Sequence, residues 1–363
     1  MTNNKIIAVL AGDGIGEEVM QGAITVLNQI EKKFNLKFEL KYGLVGGAAF
    51  DKYNSHFPEE TLKLCKESSA ILFGSIGGPV NEQHLPKWHN CERNSILAIR
   101  KAFNFSVNLR PAKVYHELIN SCPLKPEIAE GVDILIVREL IGDIYFGKKW
   151  SEVKDNKRHA YDIAEYNEDQ IACAVHAAFK AAKNRAKRVT SVDKANVLET
   201  SRLWRTVAGE IAGSYPDIQF DNMLVDNCAM QLIKSPKQFD VIVTSNMFGD
   251  ILSDEASVLP GSLGLTPSAS LNSEGFGLYE PSGGSAPDIA GKDIANPIAQ
   301  ILSLAMMLKF SFQLEDAALS IENAVNKVIA AGYRTKDIYQ ENKNLKLVGT
   351  REMAKAIADA CYF

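Results

Sequence analysis

The chain has 363 residues, of which 46% are hydrophobic and 23% charged, enough to bury a large core and to divide into two domains. Forty basic against forty-four acidic residues give a formal charge of −4, which excludes the broad cationic surface that a DNA or RNA partner requires. Six cysteines, at 65, 91, 122, 173, 228 and 361, form no C-x-x-C pair in a chain too large to need disulfide staples, so reduced thiols are expected.

The first apolar run, Ile6 to Ala11, is too short for a signal peptide and leads into Gly12-Asp13-Gly14-Ile15-Gly16, as a first strand entering a helix would. A cytoplasmic location is expected. The glycines at 12, 14 and 16 miss the G-x-G-x-x-G spacing of a dinucleotide fingerprint, so they are read as serving a tight strand-to-helix turn. Further strands are predicted at 70 to 73, 133 to 138, 189 to 193, 219 to 225 and 239 to 244. Amphipathic helices fall between them, such as 167 to 187, opened by the cap residue Asn167, and 199 to 213. This alternation is the pattern of an α/β protein. His84, His89 and Cys91 lie close together, but Pro86, Lys87 and Asn90 mark an exposed loop and no zinc site is expected there.

Arg100, Arg110 and Arg138 each end or follow an apolar segment; three such arginines are better explained by an anionic ligand than by solvated strand ends. Asp193-Lys194, Asp226 and the segment Asn246 to Asp254 follow three of the predicted strands, where ligands gather in α/β sheets. Asp250 and Asp254 are four residues apart in a helix beginning near Met247, which puts both carboxylates on one face. The helix dipole alone would offset their repulsion; a bound hard cation, Mg²⁺ or Mn²⁺ with Asp226 as third ligand, is the sharper reading. From Leu259 to Gly291 seven glycines and four prolines occur in thirty-three residues, a texture read as one long functional loop threaded by apolar residues. The helix near 297 to 310 carries Gln300, Ser303 and Lys309 and is too polar and short to span a bilayer.

Taken together, Asn108-Leu-Arg-Pro-Ala-Lys113, Arg138-Glu-Leu-Ile-Gly-Asp-Ile-Tyr-Phe-Gly147, Ser191-Val-Asp-Lys-Ala-Asn196, Asn246-Met-Phe-Gly-Asp-Ile-Leu-Ser-Asp254 and Gly284-Ser-Ala-Pro-Asp-Ile-Ala-Gly291 resemble the motifs of the β-decarboxylating dehydrogenases, the isocitrate/isopropylmalate dehydrogenase family, nearly end to end. The resemblance implies an α/β two-domain fold with a large mixed open sheet, not a Rossmann fold. A first, cofactor-binding domain would combine 1–105 with 262–363; the second, 106–261, would carry the metal, the substrate and the dimer contacts, with an arm near 140–165. It also implies a homodimer with active sites shared between subunits.

The same resemblance implies that Arg100, Arg110 and Arg138 bind substrate carboxylates, that Asp250 and Asp254 of one subunit meet Asp226 of the other at the metal, and that Lys194, from the partner, and Tyr145 transfer protons. NAD would use Gly284, Ser285, Ala286, Asp288, Ile289 and Asn296, with Gly77 and Gly78 near the nicotinamide. A carboxylate at 288 would accept bonds from the ribose hydroxyls and repel a 2′-phosphate, favouring NAD over NADP. Ile96, Leu97 and Val197 align with positions that contact the substrate side group, and being apolar they favour isopropylmalate over isocitrate. The alternatives are a tartrate or D-malate dehydrogenase of the same family and a non-catalytic assembly subunit. Two departures from the family pattern stand out: Gly283 where many relatives carry histidine, and Val80-Asn81-Glu82 after Gly78-Pro79 in place of the common Lys-Trp.

Overall fold

In the computed structural model, which describes residues 5–362, the chain forms two compact units, Met1–Phe103 with Tyr115–Ser121 and Pro260–Phe363, and Asn104–Val114 with Cys122–Leu259. Both are α/β with mixed strand directions.

In the first unit the strands lie in the order Phe38–Tyr42, Lys5–Gly12, Ala70–Ser75, Gly277–Pro281, Pro267–Leu271. The first three pairings are parallel and the last antiparallel. Ala70–Ser75 is buried along its whole length, the behaviour of a parallel strand covered on both faces. Helix Gly16–Phe34 packs on Thr350–Tyr362, and Ile298–Phe310 on Glu315–Ala330. Helix Ile298–Phe310 is buried nearly all round, which explains why its sequence is so apolar without being a membrane span; no described helix is long and apolar enough to cross a bilayer. Because parallel strands end on the same side, Gly12, Ser75 and Pro281 bring the turns after them to one edge.

The second unit orders its strands Val107–Lys113, Asp133–Glu139, Val241–Thr244, Arg188–Asp193, Gln219–Leu224. Only the first pair is antiparallel. Arg138, Lys194, Asp226 and Asn246 therefore all stand at the carboxyl ends of four parallel strands. Helix Glu168–Ala182 opens with a reciprocal capping box between Asn167 and Gln170. A separate hairpin, Lys149–Lys154 with Lys157–Asp162, turns through Asp155 and Asn156, both at positive φ. Every residue of Lys149–Lys154 is exposed, and Trp150 stacks on Tyr161 at 4.5 Å.

Several sequence expectations shift. Helix 167 to 187 stops at Ala182, because the chain turns through Asn184 and Arg185 to reach Lys187 at φ 57°. The strand expected from 239 starts at Val241, since Pro236–Gln238 forms a 3₁₀ turn. The single long loop expected over 259 to 291 is wrong: it contains the antiparallel strands Pro267–Leu271 and Gly277–Pro281. Pro267 and Pro281 face each other at the hairpin's open end and Gly275 makes the turn, so the punctuating residues bound the strands without interrupting them.

Candidate active site

The second unit gathers five of the candidate residues into two bonded groups, Arg138 with Asp250 and Tyr145, and Arg110 with Asp254. Strand Asp133–Glu139 delivers Arg138 with only 2% exposure. Its Nε and Nη2 donate to Asn246 Oδ1 at 3.0 and 2.8 Å, and its Nη1 pairs with Asp250. A charge this deep must be paired, since removing a partner from a buried ion pair costs about 3–5 kcal/mol. Tyr145 donates to Asp250 Oδ2 at 2.6 Å, with the Arg138 guanidinium 5.4 Å from its ring centroid. Burial first, then the Asp250 contact, pushes the Tyr145 phenol up to about 12, so it stays protonated at neutral pH. Arg110 donates to Asn108 Oδ1 at 2.9 Å and to Asp254 Oδ1 at 3.1 Å.

Asp250 and Asp254 share one face of helix Asn246–Ser257. Asp254 is raised above the usual carboxylate range, mainly by desolvation and further by the Asp250 charge, while Arg110 pulls it down. Two carboxylates on one helix face, one of them raised further by the other's charge, supply oxygen donors of the kind a hard divalent cation takes. Among the described residues of the single chain no three His, Cys, Asp or Glu side chains come together as a metal-holding group. Asp226 instead pairs with Lys194, and this bond holds its carboxyl below the usual range. Lys194 and Asp226 are thus brought to each other, not to the Arg138 cluster. Beneath Lys194, Asp193 is 1% exposed and clamped by Arg205 through two bonds of 2.8 Å, which fixes the strand end. Val197 is 60% exposed beside it in sequence.

The first unit holds the remainder. Arg100, 7% exposed, reaches Glu280 at 3.2 Å, and its buried Nε has no partner among the described residues. Ile96 and Leu97 are half-buried in the same helix, Ile96–Ala102. At the sheet edge the Gly12 to Gly16 turn abuts the 284–291 loop: Ile15 N–H donates to Ser285 O at 2.8 Å. Gly14, at φ 58°, lies so close to Ser285 O that a Cβ would overlap it. Gly14 permits contact with the 284–291 loop, while Gly12 and Gly16 lie against Ser75 and Ala11 within the turn. Gly77 lies beside Ser285, its absent Cβ falling 3.7 Å from Ser285 Oγ. Gly284 has open space where its side chain would be, Ala286 is held at φ 38°, Ile289 N–H closes a turn onto Ala286 O, and Asp288 is exposed. This bare, turned backbone with a free carboxylate fits a dinucleotide. Asn296 uses its amide to bond Asp337 at 3.0 Å and to cap Ile298 N–H at 3.0 Å.

Four contributors were not picked from the sequence. Asn246 holds Arg138. Glu139, fully buried, accepts from Ile141 N, Gly142 N and, at 2.8 Å, Tyr166 OH, and burial raises it to about 7. Glu92 brings a carboxylate oxygen 3.8 Å from the Cβ position of Gly77. Asp13, 6% exposed, accepts from Gly47 N, Ala48 N and Gly77 N at 2.9–3.1 Å. Asn246 and Glu139 stand inside motifs read from the sequence and Asp13 inside the glycine turn, whereas nothing in the sequence marks Glu92. His84 and His89 are exposed while Cys91 is buried.

Residues 6–357 match a family model described as isocitrate/isopropylmalate dehydrogenase. The chain is 54% identical to the 3-isopropylmalate dehydrogenase of Mannheimia succiniciproducens, covering 98% of both chains, and 54% identical to that of Geobacter metallireducens, covering 97% of both. Among solved structures it resembles an isocitrate dehydrogenase from Methylococcus capsulatus, with TM-score 0.86 and 34% identity over 99% of this chain and 100% of that one. A β-decarboxylating dehydrogenase from Thermococcus kodakarensis matches with TM-score 0.78 and 32% identity over 98% and 96%.

Proposed function

Because the chain belongs to the isocitrate/isopropylmalate dehydrogenase family, we propose that the two clusters described above divide the work of oxidising and decarboxylating a substituted malate. The enzyme is an NAD-dependent, divalent-metal-dependent β-decarboxylating dehydrogenase of leucine biosynthesis; it converts (2R,3S)-3-isopropylmalate to 4-methyl-2-oxopentanoate and CO₂. The observation that carries the assignment of roles is the single helix face on which Asp250 and Asp254 each meet an arginine.

In this reading Arg100, Arg110 and Arg138 bind the two substrate carboxylates, and Ile96, Leu97 and Val197 line the isopropyl group. Asp250 and Asp254, with Asp226 from a second copy, hold Mg²⁺ or Mn²⁺. Bound there, the cation would polarise the substrate oxygen and stabilise the charge left by loss of CO₂, and NAD would supply the hydride acceptor. Lys194 takes the hydroxyl proton, directly or through water. Tyr145, kept protonated by burial, delivers a proton to carbon after decarboxylation. Gly284, Ser285, Ala286, Asp288, Ile289 and Asn296 hold the dinucleotide, with Gly77 and Gly78 at its nicotinamide end; Asp288 selects NAD over NADP.

The shared site requires a homodimer, in a cytoplasmic setting. Helices Val225–Lys234 and Asn246–Ser257 pack on each other and expose Met230, Ile233, Ile251 and Val258, each 48–60% accessible. An apolar surface of this kind suits a second copy. NADH formation with 3-isopropylmalate, D-malate, tartrate and isocitrate, each with Mg²⁺ or chelator, tests the assignment. Metal-dependent turnover strongest with 3-isopropylmalate is expected. Preference for D-malate or tartrate would overturn the pocket roles of Ile96, Leu97 and Val197, and turnover indifferent to chelator would overturn those of Asp250 and Asp254.

A further inference from the structure

After Gly77-Gly78-Pro79 the chain reads Val80-Asn81-Glu82, and a Lys-Trp pair follows at 87 and 88. The intervening residues fold back on themselves. Glu82 N–H bonds Pro79 O, Leu85 N–H bonds Glu82 O and Trp88 N–H bonds Leu85 O, at 2.9–3.0 Å, a run of tight turns that returns the chain to its start. The Trp88 indole is thereby seated on two glycines at once. A Cβ at Gly78 would overlap the fused bond of the indole, and one at Gly47 would overlap the far edge of its six-membered ring. Only backbone without side chains allows this approach.

The ring is fixed from several directions. Its Nε1–H donates to Glu82 Oε2 at 3.1 Å, and Lys87 Nζ lies 4.8 Å from its centroid while pairing with Asp51 at 2.6 Å. Buried His56 bonds Lys87 O at 2.8 Å, tying the same loop to the segment after helix Gly47–Tyr53. The two glycine segments under the ring are also joined by Asp13, whose Oδ2 accepts from both Gly47 N and Gly77 N. The Gly77–Gly78 turn is therefore held twice, by a buried carboxylate and by an aromatic plate.

We propose that Trp88 is a positioning residue for the cofactor: seated on Gly78 and Gly47, it holds the Gly77–Gly78 turn in the shape that receives the nicotinamide end of NAD. This rests on the assignment of Gly77 and Gly78 to that end. Trp88 reaches Gly78 from ten residues further along the chain. An unheld turn would sample other conformations, and each bound NAD would have to select the competent one, raising its apparent dissociation constant.

The test uses the full-length protein and NADH, whose binding is followed by calorimetry, alongside the KM values for NAD and isopropylmalate. Trp88→Ala is expected to weaken NADH binding and raise the NAD KM about tenfold, while the isopropylmalate KM stays within about twofold. Trp88→Phe, which keeps a flat ring, should recover most of the affinity. Gly78→Ala should displace the indole and weaken NADH as Trp88→Ala does, and the double variant should be no weaker than either single one. Should Trp88→Ala not fold, Gly78→Ala and Trp88→Phe decide the matter. NADH affinity unchanged in Trp88→Ala or Gly78→Ala, or equal losses for NADH and isopropylmalate, would overturn the proposal while leaving the cofactor site in place. A parent protein that binds no NADH would overturn the site assignment itself.

Discussion

Removing one hydroxyl, in Tyr166→Phe, tests whether the buried polar network behind Arg138 holds the site. Tyr166 OH donates to Glu139 Oε2 at 2.8 Å and accepts from Asn246 N–H at 2.9 Å, so its loss strips two buried groups of a partner at once. An orphaned buried donor costs about 1–3 kcal/mol, a lost neutral hydrogen bond about 0.5–1.5 and one to a charged acceptor about 1.5–3. Glu139 decides which of the last two applies. Burial raises it from an ordinary 4.5 to about 7, so at moderately acidic pH the folded protein keeps a proton that the unfolded chain has released. Stability must therefore fall as pH rises from 4.5 through about 7, by roughly 3 kcal/mol over that window, and be fully present only below it. The variant should be destabilised by about 3 kcal/mol near pH 5.5, where Glu139 is neutral, and about 4 near pH 8, where it is charged. Because a donor to the carboxylate is gone, the decline should also extend to higher pH than in the parent. Urea unfolding at the two pH values measures both effects. A loss that is the same at either pH, or a pH slope that survives Glu139→Gln, would refute this account of the network.

Three further outcomes follow from the site geometry. Lys194→Ala should lower kcat far more than it raises the KM for isopropylmalate in steady-state assays; the reverse pattern would make Lys194 a binding group only. Tyr145→Phe should lower kcat by about 10²–10⁴ while leaving the alkaline limb of the rate profile where it is, since the parent phenol titrates only at about 12. Asp288→Asn should narrow the preference for NAD over NADP by about tenfold, read as the ratio of kcat/KM values for the two cofactors, because a fixed negative charge beside the 2′ position is removed.

The parts of the fold that the sequence reveals are those where local pattern and burial agree. Ala70–Ser75 and Asp133–Glu139 read as strands because burial on both faces demands near-continuous apolar residues. Val107–Lys113 escaped notice because it carries Arg110, Pro111 and Lys113, and Lys149–Lys154 because exposure on both faces leaves no alternation to detect. In the glycine-rich segment the composition masked two strands whose apolar residues, Ala269, Leu278 and Tyr279, are fully buried. For the candidate site, strand ends mark where charged side chains emerge, but not what holds them. Asn246 is 108 residues from Arg138, and Asp13 is 64 from Gly77; such pairs are set by topology and leave no trace in spacing. Trp88 shows the same limit at shorter range, because a chain of tight turns, not a periodic element, returns it to Gly78.

The pairing of Arg110 with Asp254 and of Arg138 with Asp250 has a consequence for how ligands enter. Two of the three arginines suited to a substrate carboxylate, Arg110 and Arg138, are already matched to the aspartates suited to a cation, so these four side chains are their own counterions. A malate dianion arriving alone must compete with Asp250 and Asp254, and a divalent cation arriving alone must compete with Arg110 and Arg138. Arriving together they exchange two internal ion pairs for a new set, with the +2 of one cancelling the −2 of the other. Binding of metal and substrate is then cooperative by charge balance alone, and by reciprocity each tightens the other by the same factor. Under the proposed assignment of these four residues, the site would work as an ion exchanger that prefers a neutral pair over either half.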